Sequence, residues 1–201
     1  MKVLLVADEE SSYIWDYFDP ERFKDVELVI SCGDLKAEYL SYLVTLLNVP
    51  VMYVHGNHDQ NYDQTPPEGC DSIDGKLVTF KGIRILGLGG SMKYKDASHQ
   101  YTEKDMEKRI KKLKPQLFFS KGFDILVTHA AAYGLGDGND LCHTGFKCFN
   151  KLLDIYKPKY YFHGHQHLNY NRGERLIRYK DTTIINSYGY YIIDVNITQD
   201  S

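Results

Sequence analysis

Five short apolar runs in this chain each end directly on residues that can chelate a cation, and that pattern restricts the fold more than any other feature. Val3–Ala7 runs into Asp8-Glu9-Glu10, Glu27–Ser31 into Cys32-Gly33-Asp34, and Val51–His55 into Gly56-Asn57-His58-Asp59. Phe123–Thr128 stops at His129, and Lys159–His163 leads into Gly164-His165-Gln166-His167. The runs are short and rich in β-branched and aromatic residues, so they read as strands. In α/β sheets the crevice beyond the strand carboxyl ends is the usual ligand site. One polar strand end is commonplace; five imply a shared site.

Helical patterns lie between the strands at Ala37–Leu47, Glu103–Leu113 and Phe146–Tyr156. Thr102, with Asp105 three residues on, predicts the start of the second helix. Pro115 and Pro158 are expected just past helix ends, and His143 at the opening of the third helix. Further strands are predicted at Leu77–Phe80, Ile83–Leu88, Thr182–Ser187 and Tyr190–Val195, the last two as a hairpin joined through Gly189. The sum is an α/β fold with at least one mixed sheet. No repeat, low-complexity stretch or linker interrupts it, so residues 1–201 are expected to form a single domain. Gly87–His99 and Tyr133–Cys142 are long glycine-rich loops of the kind that often carry function.

The net charge of −3 supplies no long-range attraction for polyanions, and no Lys/Arg stripe interleaved with aromatics is present, which disfavours long nucleic acid as a partner. Cys32, Cys70, Cys142 and Cys148 form no CxxC pair and suggest free thiols in a reducing, cytoplasmic setting. The N-terminal apolar run is too short for a signal peptide. Elsewhere no uncharged apolar stretch approaches the roughly 20 residues of a membrane span, so no membrane partner is expected.

Side chains at i and i+2 of an extended chain face the same way, which would let Asp8 and Glu10 address one site, and His165 and His167 likewise. Carboxylates, an amide oxygen and imidazoles suit Mn, Fe, Zn or Mg rather than Cu(I) or an iron–sulfur cluster. His55 and His163 read as packing or hydrogen-bonding partners of these donors. His99, on the first long loop, and His143, just past the second, read either as surface or cap histidines or as substrate contacts.

The ordered set Asp8-x-Glu10, Gly33-Asp34, Gly56-Asn57-His58-Asp59, His129 and Gly164-His165-Gln166-His167 resembles the calcineurin-like metallophosphoesterase family over most of the chain. That resemblance implies a four-layer α-β-β-α sandwich of two mixed sheets flanked by helices. It also implies two divalent ions, Mn before Fe, Zn or Mg, and hydrolysis of a small phosphate ester by activated water with in-line attack. A phosphodiester is expected ahead of a monoester. Carried over residue by residue, Asp8, Asp34 and His167 would hold the first ion. Asp34 would bridge to the second, completed by Asn57, His129 and His165. His58 would stand near the leaving group with Asp59 orienting its ring. The family's first motif is Asp-x-His, and Glu10 replaces that histidine. Glu10 could bind the ion directly, bind through water, or remain a solvated carboxylate. The rival expectation is a degenerate family member acting as a protein-interaction scaffold.

Overall fold

Val3, Leu5 and Ala7 pack to one side of the first strand and Leu4 and Val6 to the other, and all five are fully buried. A strand apolar on both faces must lie between two layers. The computed structural model, which describes residues 1–168 and 174–197, supplies both.

In chain order the elements begin β1 (Lys2–Ala7), α1 (Ser12–Trp15), α2 (Pro20–Phe23), β2 (Val26–Ser31), α3 (Ala37–Leu47) and β3 (Val51–Tyr53). A 3-10 turn at Gln60–Asp63 precedes β4 (Cys70–Ser72), β5 (Lys76–Phe80), β6 (Ile83–Leu88), β7 (Ser91–Met92) and β8 (Gln100–Tyr101). Then come α4 (Glu103–Phe119), β9 (Ile125–Thr128), α5 (Lys147–Tyr156) and β10 (Tyr160–His163). The last strands are β11 (Leu176–Tyr179), β12 (Thr182–Asn186) and β13 (Gly189–Asp194).

One large sheet has the order β13-β1-β2-β3-β4, the other β11-β12-β10-β9-β6-β5. Strands β1 to β4 run parallel, with β13 antiparallel at the edge. In the second sheet β6, β9, β10 and β12 are parallel, with β5 and β11 antiparallel at its edges. Leu5, Ile30 and Val54 of the first sheet meet Ile85, Val127 and Phe162 of the second in the central core. On the outer faces Leu4, Val29 and Val51 pack with Tyr39, Leu40 and Leu43 of α3, while Leu126 and Tyr161 pack with Met106 of α4 and Phe149 of α5. Two mixed sheets between helical layers make the expected α-β-β-α sandwich. No helix among the described residues is long and apolar enough to cross a membrane.

Three local expectations fail for physical reasons. Thr182–Asn186 and Gly189–Asp194 are not a hairpin: β12 pairs with β10 and β11, whereas β13 crosses to the other sheet and pairs with β1. A run of β-branched and aromatic residues identifies a strand but not its neighbour. Pro115 lies inside α4 rather than beyond it. The carbonyl it leaves without a donor is that of exposed Lys111, which water can satisfy, while Leu113 and Leu117 keep that helix buried on its inner side. His143 does not open α5 but stands in the loop before it, since the helix starts at Lys147. The Thr102 cap is present, its Oγ1 accepting from the Asp105 amide at 3.2 Å.

A polar clamp ties these layers beside the site. The Asp74 carboxylate accepts from Gly89 N at 2.6 Å and from the Arg109 guanidinium of α4, and pairs with His55 Nδ1 at 3.3 Å. Burial works to raise the Asp74 carboxyl, but the His55 hydrogen bond and the Arg109 charge overcome it and hold the group at about 2. A carboxylate depressed in this way stabilises the fold above its unfolded value near 4, and that contribution is lost as pH falls through about 2. Asp74→Asn should therefore lose about 2 kcal/mol of stability at neutral pH. In denaturant titrations the deficit should shrink as acid protonates the wild-type group; a deficit independent of pH would contradict this origin.

Candidate metal centre at the strand termini

The parallel strands β1, β2 and β3 of one sheet and β9 and β10 of the other finish at a common edge, and hydrogen bonds stitch their ends together. Gly164 N donates to His129 O at 2.9 Å, Asp8 N to Gly33 O at 3.1 Å, and His165 N to Asp8 Oδ2 at 2.9 Å. The close approach depends on missing side chains. A Cβ on Gly56 would lie 2.0 Å from Asp34 Oδ1, and one on Gly164 would lie 2.7 Å from Asp8 Oδ2.

Asp8, Asp34 and His165 all adopt left-handed backbone, with φ of 63°, 57° and 65°. Such conformations are uncommon for residues with a Cβ and tend to cluster at functional sites. They also overturn the extended i, i+2 geometry expected for Asp8 with Glu10 and for His165 with His167. Both pairs begin on a turned residue, so strand parity no longer places their side chains.

Fully buried His129 is the centre of the cluster. Its Nδ1 lies 2.8 Å from Cys32 O, so that nitrogen carries the proton, because a carbonyl can only accept. Its Nε2 then faces Asn57 Oδ1 at 3.0 Å and Asp34 Oδ2 at 3.3 Å. Asn57 is also fully buried, and its Nδ2 reaches Tyr94 OH at 3.4 Å, which turns the amide oxygen inward. Donor atoms of Asp8, Asp34, His129 and His165 all lie within 4.8 Å of one another. A neutral His129 would present a lone pair to two further acceptors, a repulsion that a shared proton or a cation among them relieves.

The electrostatics follow from that arrangement. Burial pushes the Asp8 carboxyl up to about 7, with the His129 charge opposing and the Asp34 charge adding to it. Burial disfavours a charged His129, yet the charge and hydrogen bond of Asp34, together with Asp8, outweigh it and raise the ring to about 9. Burial likewise opposes ionised Asp34, but His129, by charge and hydrogen bond, and the His58 amide hold that carboxyl far below the usual range. Burial, then the His129 charge, drive His165 down to about 3. Its Nε2 faces Cys142 O at 2.8 Å, which assigns the proton to Nε2 and leaves Nδ1 as the lone pair.

Asp8, Asp34, His58, His165 and His167 border one cleft of about 250 Å³, together with Cys142 and His143. His58 is exposed, its ring Nε2 4.0 Å from Asp34 Oδ2 and its amide 2.7 Å from Asp34 Oδ1. Asp59 serves the backbone rather than the His58 ring: its Oδ2 accepts from Asp34 N at 2.9 Å and Gly56 N at 2.7 Å, clamping two strand ends together. Burial, then the Asp34 charge, raise that carboxyl to about 6. Glu10 is outside the four-residue group. It borders a wider neighbouring cleft with Asp8, Asp34 and His58, and its Oε1 is 3.5 Å from Lys36 Nζ. His143 reaches the inner cleft, packed 5.1 Å from the His165 ring with its Nδ1 on Asp140. His99 borders neither cleft; it stacks on His55 at 4.4 Å. His163, fully buried, places its Nδ1 3.0 Å from Gly164 O. Cys142, which groups with His143 and His165 within 4.8 Å, had no sequence signal beyond a scattered free thiol.

No curated protein matches the chain significantly. Among solved structures, GAP50, the anchor in the inner membrane complex of Plasmodium, superposes with a TM-score of 0.52 at 15% identity, covering 92% of this chain and 70% of that one. The 5'-nucleotidase of Candida albicans superposes at 0.53 with 15% identity, covering 92% of this chain and 45% of that one. At such identities both show the fold alone. Residues 4–169 match the calcineurin-like phosphoesterase family, and with the strand-end motifs gathered at one edge of the sandwich, the chain belongs to that family.

Proposed function

We propose that the protein hydrolyses a small phosphate ester with divalent cations held by Asp8, Asp34, Asn57, His129, His165 and His167. The observation that carries this reading is the convergence of His129 Nε2, Asn57 Oδ1 and Asp34 Oδ2 on one point, with Asp8 beside them. The donor mix fits such ions: imidazole lone pairs, a carboxamide oxygen and carboxylates suit Mn, Fe, Zn or Mg. When bound, the cations supply Lewis-acid charge and a hydroxide source near neutral pH.

The chain's own groups do the rest. His129 is fixed by the Cys32 carbonyl so that Nε2 points inward, and it must release the Nε2 proton to act as a ligand. His58, exposed above Asp34, is free to donate a proton to the departing oxygen, a role suited to an imidazole. Asp59 keeps the Asp34 and Asn57 turns in register by binding their amides. Carboxylates around the bound cations lower the site's net positive charge and so weaken its pull on a dianionic monoester relative to a monoanionic diester, a tilt toward the diester. Lys36 offsets the Glu10 charge, so that preference rests on Asp8 and Asp34. Four free thiols suit a reducing compartment.

A second reading is favoured by one observation. Glu10 pairs with Lys36 rather than joining the inner group, which leaves the first ion fewer donors than an Asp-x-His motif provides. A weak hydrolase serving as a scaffold would look like this.

Hydrolysis of a chromogenic phosphodiester with added Mn(II) separates the two readings. Activity should vanish with chelator and fall at least about a hundredfold in Asp34→Ala. His58→Ala should impair alkyl esters more than activated aryl esters. Wild-type activity no greater than that of Asp34→Ala would favour the scaffold. Adding Mn(II) to metal-stripped protein near pH 8, below the raised His129 value, should also release about one proton per chain. Binding without proton release would exclude His129 as a ligand.

A further inference from the structure

We propose that His55, Asp63 and His99 form a peripheral divalent-cation site of zinc-like preference, sharing no residue with the cluster around Asp34. One potential ligand atom from each of the three lies within 4.8 Å of the others. They come from three segments: the end of the β3 run, the 3-10 turn Gln60–Asp63, and the loop before β8.

Three observations argue for a ligand rather than a chance cluster. His99 Nε2 is shielded from solvent and has no hydrogen-bond partner, although a buried ring nitrogen left unpaired costs free energy. His55 Nδ1 lies 3.3 Å from Asp74 Oδ2, so the N–H faces the carboxylate and Nε2 keeps its lone pair. A carboxylate behind a histidine is the arrangement that orients imidazole ligands and raises their basicity. Asp74 is itself fixed by Arg109 and the Gly89 amide, so this support is rigid. Asp63, on an exposed turn, supplies the negative charge that two neutral imidazoles lack.

Two imidazoles and one carboxylate, with a fourth position open to water, match zinc better than magnesium or calcium. The His55 and His99 rings are stacked with an interplanar angle of 6°. Parallel rings cannot both aim an in-plane lone pair at one ion, so capture turns at least one ring out of the stack. The bound ion would fasten the loop carrying Tyr94 and His99 to the turn that follows Asn57 and His58, close to the site without entering it.

The test is Zn(II) calorimetry on metal-stripped full-length protein, with Co(II) absorption as a second probe of coordination. Asp63→Asn and His99→Ala should each weaken one class of zinc binding at least about tenfold. Asp63→Asn, an exposed change, should leave Mn(II)-dependent diester hydrolysis intact. Asp34→Ala should retain that same zinc class while losing hydrolysis. Zinc binding unchanged in both Asp63→Asn and His99→Ala, or all zinc lost in Asp34→Ala, would overturn the proposal. A wild type inactive toward esters that still loses zinc in His99→Ala would uphold this site and count against hydrolysis alone.

Discussion

The placement of His129 between the two sheets is the constraint on which the rest of the site depends. From the end of a second-sheet strand, its Nδ1 reaches Cys32 O at the end of a first-sheet strand. That one contact fixes the tautomer, closes the seam between the sheets and aims Nε2 at Asp34 and Asn57. Apolar packing between the sheets brings the strand termini near one another, but it is not directional. Directional order comes from this hydrogen bond, from the Asp8 carboxylate receiving His165 N, and from Asp59 receiving two amides across the turns. The cost is a set of carboxylates and imidazoles forced together out of water, a cost that an ion at the centre would offset.

Much of this was legible in the chain because the central strands are parallel and buried on both faces. Val3–Ala7 and Lys159–His163 could only be interior strands, and polar residues directly beyond them could only sit at a sheet edge. The family motifs then implied the sandwich, and its layers are present. What the sequence did not disclose is long-range pairing and local handedness. Nothing in Thr182–Asp194 says that its two strands part company, because both are short β-branched or aromatic runs on either side of one glycine. Pro115 is tolerated inside α4 because the carbonyl it deprives is on the wet side, a fact of position rather than of residue type. Asp8 and His165 take left-handed backbone that only their tertiary partners support, so strand parity is not what brings His165 and His167 to one cleft or Asp8 and Glu10 to another.

The same constraint separates the chain's histidines into two populations. His129, His165, His58, His167 and His143 gather at the cleft, whereas His55 and His99 stack on each other, backed by Asp74 and Arg109; His163 belongs to neither group and bonds Gly164 O. Asn57 is the hinge between them: it follows His55 by two residues, faces His129 with its oxygen and reaches Tyr94 with its nitrogen. GAP50 and the Candida nucleotidase share this sandwich, and a shared fold does not decide between hydrolysis and scaffolding.

The central claim is that those strand ends cage cations around Asp34. Anomalous diffraction at the manganese edge, from crystals of the full chain grown with Mn(II), addresses it directly. The account predicts anomalous peaks bounded by Asp8, Asp34, Asn57, His129 and His165. Crystals saturated with manganese that show no peak among these side chains, or peaks only elsewhere on the surface, would contradict it.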